Sequence, residues 1–209
     1  MLKRCLLVFF LTFIFSIYAD PIYIAYYTVN TPYEEEVINL KNSLDQFSLP
    51  YDIQGVPSLG SWQRNTQYKT LFIRDMVNKY PDRPVVYVDA DAIVRSPPIF
   101  FDQLECDVAV HHFYNKKRNF LELLSGTVYF GPTENAKKLI DKWIEVNQEF
   151  PDQWDQKNLD IAIKRMPELK IVELPPSYCL IFDTMKDQGP AVIEHFQASR
   201  RFKKIVNSN

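Results

Sequence analysis

Apolar positions along this chain follow two rhythms. Short runs rich in β-branched and aromatic residues, Ile22–Thr28, Tyr51–Val56 and Val85–Val88, predict strands. Between the first two, Val37, Leu40, Leu44 and Phe47 recur at helical spacing. That helix has a start signal, with Thr31 as N-cap, Pro32 at the first helical position and Glu34 completing a capping box. A second helix is predicted from about Asn65 to Tyr80, where Pro81 stops it. Its apolar stripe reads Tyr68, Leu71, Phe72, Met76 and Tyr80, which leaves Arg64 and Lys69 off the stripe.

The second half continues the alternation. Val108–His112 and Gly126–Phe130 read as strands, and Thr133 or Glu134 opens a helix to about Phe150 that buries Ala136, Leu139, Ile140, Trp143 and Val146. Asp155–Lys164 reads as a further helix carrying Leu159, Ile161, Ala162 and Ile163. Ile171–Leu174, Tyr178–Phe182 and Ala191–His195 are short strand candidates between proline-rich turns, followed by the basic stretch Arg200–Lys204. The β-α-β opening predicts an α/β fold: one Rossmann-like domain, with a mostly parallel central sheet and helices on both faces. No repeat or linker interrupts it.

Composition narrows this picture. A chain of 209 residues with 46% hydrophobic content can bury the core of one domain. A net charge of −2 argues against a nucleic-acid partner held by a basic face. Lys3 and Arg4 precede an uncharged, largely apolar run, Cys5–Ala19, of 15 residues. A membrane span needs about 17–25, so residues 1–19 are expected to be a signal peptide, with a short membrane anchor as the alternative. The chain is then exported or anchored, and residues 20–209 form the domain, with 22 basic and 26 acidic residues and net charge −4. Cys106 and Cys179 remain, either as a pair or as two buried thiols. With five glycines and neither a Gly-x-Gly-x-x-Gly nor a Gly-Lys-Ser/Thr loop, dinucleotide and P-loop chemistry are excluded.

The candidate chemistry sits at the end of the third strand. Val85–Val88 reads as buried on both faces, and Asp89 and Asp91 follow at once. Ligands of open α/β sheets gather outside the carboxyl ends of the strands. Alternate residues there point the same way, so both carboxylates are expected to meet one hard divalent cation, which keeps waters and phosphate oxygens as its other ligands. The competing reading is a strand-end turn with two solvated aspartates.

Taken together, the early β-α-β, the strand ending Asp89-Ala90-Asp91, the Ser125-Gly126-Thr127 strand, Asp155-Gln156 on a helix and the late strand ending in His195 resemble the GT-A glycosyltransferases, and among them the nucleotide-diphospho-sugar transferases. The resemblance covers Ile22 to about Lys204. It implies a metal-dependent transfer of a sugar from a nucleotide-diphospho-sugar donor to a glycan, protein or lipid acceptor hydroxyl, with Mn²⁺ as the cofactor and Mg²⁺ the alternative. It assigns Asp89, Asp91 and His195 to the metal, with Asp89 also touching the donor, and Asp155 to catalysis. Tyr27, Thr28, Lys69, Ser125, Gly126, Thr127, Gln156 and Arg201 become donor contacts. In the related pattern His-x-x-Gly-x-x-Lys, Ala198 and Arg201 stand where Gly and Lys are expected. Arginine still neutralises phosphate, as a planar fork, whereas alanine is less suited to a close backbone approach.

Three other readings stay open on the sequence. A haloacid-dehalogenase-like phosphohydrolase also ends a buried strand in Asp-x-Asp and would use Asp183 and Asp187. It places that motif on its first strand, however, and here two strands precede it. The others are a non-catalytic metal- or glycan-binding module and a structural secreted domain with a chance motif.

Overall fold

The computed structural model describes residues 19–116 and 119–206, with side chains as far as Phe202. The expected signal or anchor therefore lies, apart from Ala19, outside the described residues. Among those described, no helix is long and apolar enough to cross a membrane.

Strand β1 (Ile22–Thr28) is central, flanked by β2 (Tyr51–Val56) and β3 (Val85–Val88), both parallel to it. β6 (Phe120–Phe130) runs antiparallel beside β3, β5 (Val108–Asn115) antiparallel beside β6, and β7 (Ile171–Glu173) closes the edge parallel to β5. The order is β2-β1-β3-β6-β5-β7. Five strands run one way and β6 alone runs back, so the sheet is mostly parallel, as expected.

Alternation along the buried strands divides the core into two layers. Ile22, Ile24, Tyr26, Val85, Tyr87, Val128 and Phe130 face α2 (Trp62–Lys79), α3 (Glu134–Glu149) and α4 (Asp155–Lys164). Tyr23, Ala25, Val86, Val88 and Tyr129 face α1 (Tyr33–Gln46) and the segment around Phe101. A smaller sheet, β4 (Ala92–Val94), β9 (Ile193–His195) and β8 (Leu180–Ile181), sits beyond the end of β3, and α5 (Ser199–Val206) follows it.

Four expectations need correction. The start of α1 lies further along than expected: Pro32 is the N-cap and makes no side-chain cap. Thr31 Oγ1 instead donates to Thr28 O (2.7 Å), and Glu34 reaches back to Asn30 N (3.1 Å). Helix α2 begins three residues early, because Ser61 Oγ accepts from Arg64 N. Its buried face is Asn65, Lys69, Phe72, Ile73 and Met76, so Lys69 points inward and Leu71 outward. β6 extends upstream to Phe120 through buried Leu123, Leu124 and Ser125 and then exposed Leu121 and Phe120, an apolar run without alternation, and the basic C-terminal stretch is helical. Cys106 and Cys179 are buried free thiols, both pushed up to about 12 by burial.

Trp143 is fully buried between α3 and the sheet, and its indole N–H donates to Asp155 O (2.9 Å). Trp143→Ala should therefore cost about 3–5 kcal/mol in urea unfolding, while Trp143→Phe, which loses mainly the hydrogen bond, should cost about 1–2 kcal/mol.

Candidate active site

The site is built where β1 and β3 end. After Val88 the chain turns, with Ala92 N donating to Asp89 O (3.0 Å). Asp89 and Asp91 thus approach each other across a turn rather than by alternation along a strand. The turn feeds β4, which pairs antiparallel with β9 and sets Ala92 opposite His195. Ligand atoms of Asp89, Asp91 and His195 all lie within 4.8 Å of one another.

Each member of this trio is held by a second contact. Asp89 Oδ1 accepts from Tyr87 Oη (2.9 Å), two residues back on the same strand face. Asp91 Oδ2 accepts from Ala198 N (2.6 Å), which ties the turn to the residue before α5. Burial, reinforced by the charge of Asp89, pushes the Asp91 carboxyl up to about 6. His195 Nε2 lies 2.8 Å from Thr127 Oγ1, and its Nδ1 is buried without a partner. Burial lowers the imidazole to about 4, so it is neutral at neutral pH. If Nε2–H donates to Thr127, the free lone pair sits on Nδ1. Gly126 leaves room for that edge of the ring, since a Cβ there would stand 2.9 Å from Cε1, 3.0 Å from Nδ1 and 3.4 Å from Asp89 Oδ2. Two carboxylates and one unpartnered imidazole nitrogen fit a divalent cation such as Mn²⁺.

Beside the trio lies a buried charge cluster. Lys69 is 3% exposed. Its Nζ is 2.8 Å from Asp155 Oδ2 and 3.1 Å from Asp89 Oδ1, and it also donates to Ser125 O and Oγ (both 3.3 Å). Burial alone would lower its pKa, but the charges of Asp155 and Asp89 outweigh burial and raise it. Asp155 Oδ2 accepts from Ser125 Oγ as well (3.0 Å). Gln156 Oε1 accepts from Ser125 N (3.3 Å), and its Nε2 donates to Glu122 (3.0 Å).

These groups face a cleft of about 480 Å³. Tyr27, Thr28, Lys69, Asp89, Asp91, Ser125, Asp155 and Gln156 all line it, which brings together most of the residues singled out in the sequence. Gly126, Thr127 and His195 do not line it, but Gly126 and Thr127 both lie against the His195 ring. Arg201 does not line the cleft: it pairs with Glu36 (2.6 Å), and its neighbour Arg200 lines the cleft instead. The His-x-x-Gly-x-x-Lys spacing singles out Arg201, but on helix α5 that residue turns to Glu36 while Arg200 faces the cleft. Tyr87, Asn65 and Glu122 were also missed. The alternation that groups Tyr87 with Asp89 was a usable signal for the first, and Glu122 lies on the unpredicted half of β6.

No protein-family model and no curated protein matches the chain. Solved structures do. A glycosyltransferase involved in glycosylation of the major capsid of PBCV-1 superimposes with a TM-score of 0.69 at 12% identity, over 91% of this chain and 100% of that one. The glycosyltransferase GlyE of Streptococcus pneumoniae TIGR4 gives 0.61 at 15% identity, over 85% of this chain and 54% of GlyE, so the chain spans about half of that protein. The galactosyltransferase LgtC, solved with donor and acceptor sugar analogs, gives 0.52 at 10% identity, over 90% and 95%. At such identities the likeness is one of fold. The GT-A-like α/β architecture expected from the residues is the architecture found.

Two outcomes follow from this geometry. Lys69→Met should cost about 3–5 kcal/mol in urea unfolding, because it leaves Asp155 buried without its cation. Adding Asp155→Leu should recover much of that loss, and an additive double-mutant cycle would contradict the coupling. Gly126→Ala, whose Cβ must displace the His195 ring, should cost about 1–3 kcal/mol and move the His195 resonances in an NMR spectrum.

Proposed function

We propose that the protein is a metal-dependent glycosyltransferase that moves a sugar from a nucleotide-diphospho-sugar to an acceptor hydroxyl. One observation carries this: the Asp89–Asp91–His195 trio closes on an unpartnered buried imidazole nitrogen at the end of a buried strand, in a fold shared with glycosyltransferases. Asp89, Asp91 and His195 would hold Mn²⁺, or Mg²⁺ as the alternative. When bound, that ion supplies positive charge to offset the charge developing on a leaving diphosphate.

The chain's own residues do the rest. Thr127 fixes the His195 ring, and the Ala198 N–H fixes Asp91, so the ligands are oriented in advance. Tyr27 and Thr28 line the nucleotide end of the cleft, and Arg200, rather than Arg201, is the phosphate-facing cation of α5. Asp155 is ion-paired to Lys69 and accepts from Ser125 through the same oxygen. We assign it the role of a fixed negative charge beside the sugar, stabilising positive charge that grows at the anomeric carbon, in preference to that of a proton acceptor. Gln156 and Ser125 shape the sugar end. The phosphohydrolase reading finds less support. Asp183 is engaged by Arg200 (2.5 Å), and neither Asp183 nor Asp187 belongs to the Asp89–Asp91–His195 group. The same proposal has the enzyme exported, or anchored through residues 5–19.

Calorimetric titration with UDP and with GDP, in Mn²⁺ and in EDTA, tests the reading. One nucleotide should bind, need Mn²⁺, and lose binding in Asp91→Asn and in His195→Ala, both shown folded by circular dichroism. No binding of either nucleotide by folded protein, together with phosphate release from phosphomonoesters, would overturn it. Proton competition gives a further expectation. Because burial pushes the Asp91 carboxyl up to about 6, Mn²⁺ affinity should fall as pH is lowered through that value, tending toward roughly tenfold per pH unit below it.

A further inference from the structure

Two of the chain's three tryptophans stand at the cleft, and the charge cluster uses neither. Trp62 opens α2 directly after the Ser61 cap, and Trp154 is the N-cap residue of α4, next in the chain to Asp155. Their rings meet edge to face, with centroids 6.3 Å apart and an interplanar angle of 89°. The arrangement is braced. Gln67 Nε2 donates to Pro151 O (2.6 Å) and Gln153 O (3.1 Å), which locks the Trp154 loop onto α2. The Trp62 indole hydrogen-bonds the Tyr33 phenol, another cleft residue, so its polar edge is occupied. Trp154 remains 39% exposed.

A large aromatic side chain fixed by its neighbours, yet left in contact with water inside a concave site, keeps apolar area for a ligand. A pyranose matches that chemistry, because it has one C–H-rich face to lay on an indole and hydroxyls around its rim. Glu122, Gln156 and Asn115, which also line the cleft, are groups that bond hydroxyls. The location is informative too. Asp155, the neighbour of Trp154, is joined through Lys69 to Asp89, so Trp154 stands on the Asp155 side of the charge cluster, while Trp62 reaches back to Tyr33, which packs on Phe202 of α5.

We infer that Trp62 and Trp154 form a carbohydrate subsite, so that the acceptor is a glycan with a terminal pyranose rather than a protein side chain or a lipid alcohol. Its acceptor role rests on the transferase reading, whereas the sugar binding does not.

Saturation-transfer NMR of the folded chain with methyl glucosides, galactosides and mannosides tests this, with tryptophan fluorescence as a second readout. At least one pyranoside should bind, and should bind about tenfold more weakly to Trp154→Ala. Trp154→Phe, which keeps an aromatic face, should recover most of the loss. Nucleotide calorimetry on the same variants separates the two readings. Pyranoside binding without any nucleotide binding would sink the transferase and leave a glycan-binding site. Nucleotide binding with no pyranoside bound by wild type would overturn the subsite alone. Nucleotide affinity that falls in Trp154→Ala while pyranoside binding stays unchanged would also overturn it, by assigning the indole to the base.

Discussion

A buried ammonium governs the architecture of this site. Lys69 projects from the inner face of α2 into a region where a lone cation could not remain charged. It does so because Asp155, from the start of α4, and Asp89, from the end of β3, both reach it. Three elements far apart in sequence are thereby fixed to within hydrogen-bond distance of one atom. Ser125 closes the cluster from β6, bonding to both the lysine and Asp155. The arrangement is a network, and each member is costly to remove mainly because of what it leaves behind.

The reversed strand β6 is the second organising feature. Its direction brings Ser125, Gly126 and Thr127 to the level where β3 ends, with Val88 opposite Thr127. Three consecutive residues then divide the work. Ser125 serves the lysine cluster, Gly126 yields space to the His195 ring, and Thr127 holds that ring's far nitrogen. The braced indole pair lines the same cleft.

Much of this was legible from residue pattern. The strands over Ile22–Thr28, Tyr51–Val56 and Val85–Val88 and the helix over Asp155–Lys164 lie where the apolar rhythm puts them; for β1 and β3 the reason is burial on both faces, which leaves a continuous signature. The Asp-x-Asp and its histidine were legible as chemistry, yet the turn that joins the carboxylates was not, since a turn and a strand end place the same residues two apart. Lys69 was expected to contact the donor and does line the cleft, but its burial was not legible. A charged residue on an amphipathic helix is assigned to solvent by default, and only the two distant aspartates reverse that assignment. Arg200 and Arg201 show the same limit, as did Glu122, whose strand carries no apolar alternation where it leaves the core.

The bond from Ala198 N to Asp91, and the pairing of β9 with β4, join positions about a hundred residues apart. The main sheet needs none of this: β1, β2 and β3 pair within the first ninety residues. Such distant closure carries a larger entropic cost than local pairing and tends to come late in folding. A ribosome must pass Ala198 before the carboxylates acquire their fixed orientation. The scaffold can therefore be substantially formed while the site is still inert, so competence for ligand is acquired after the fold that carries it.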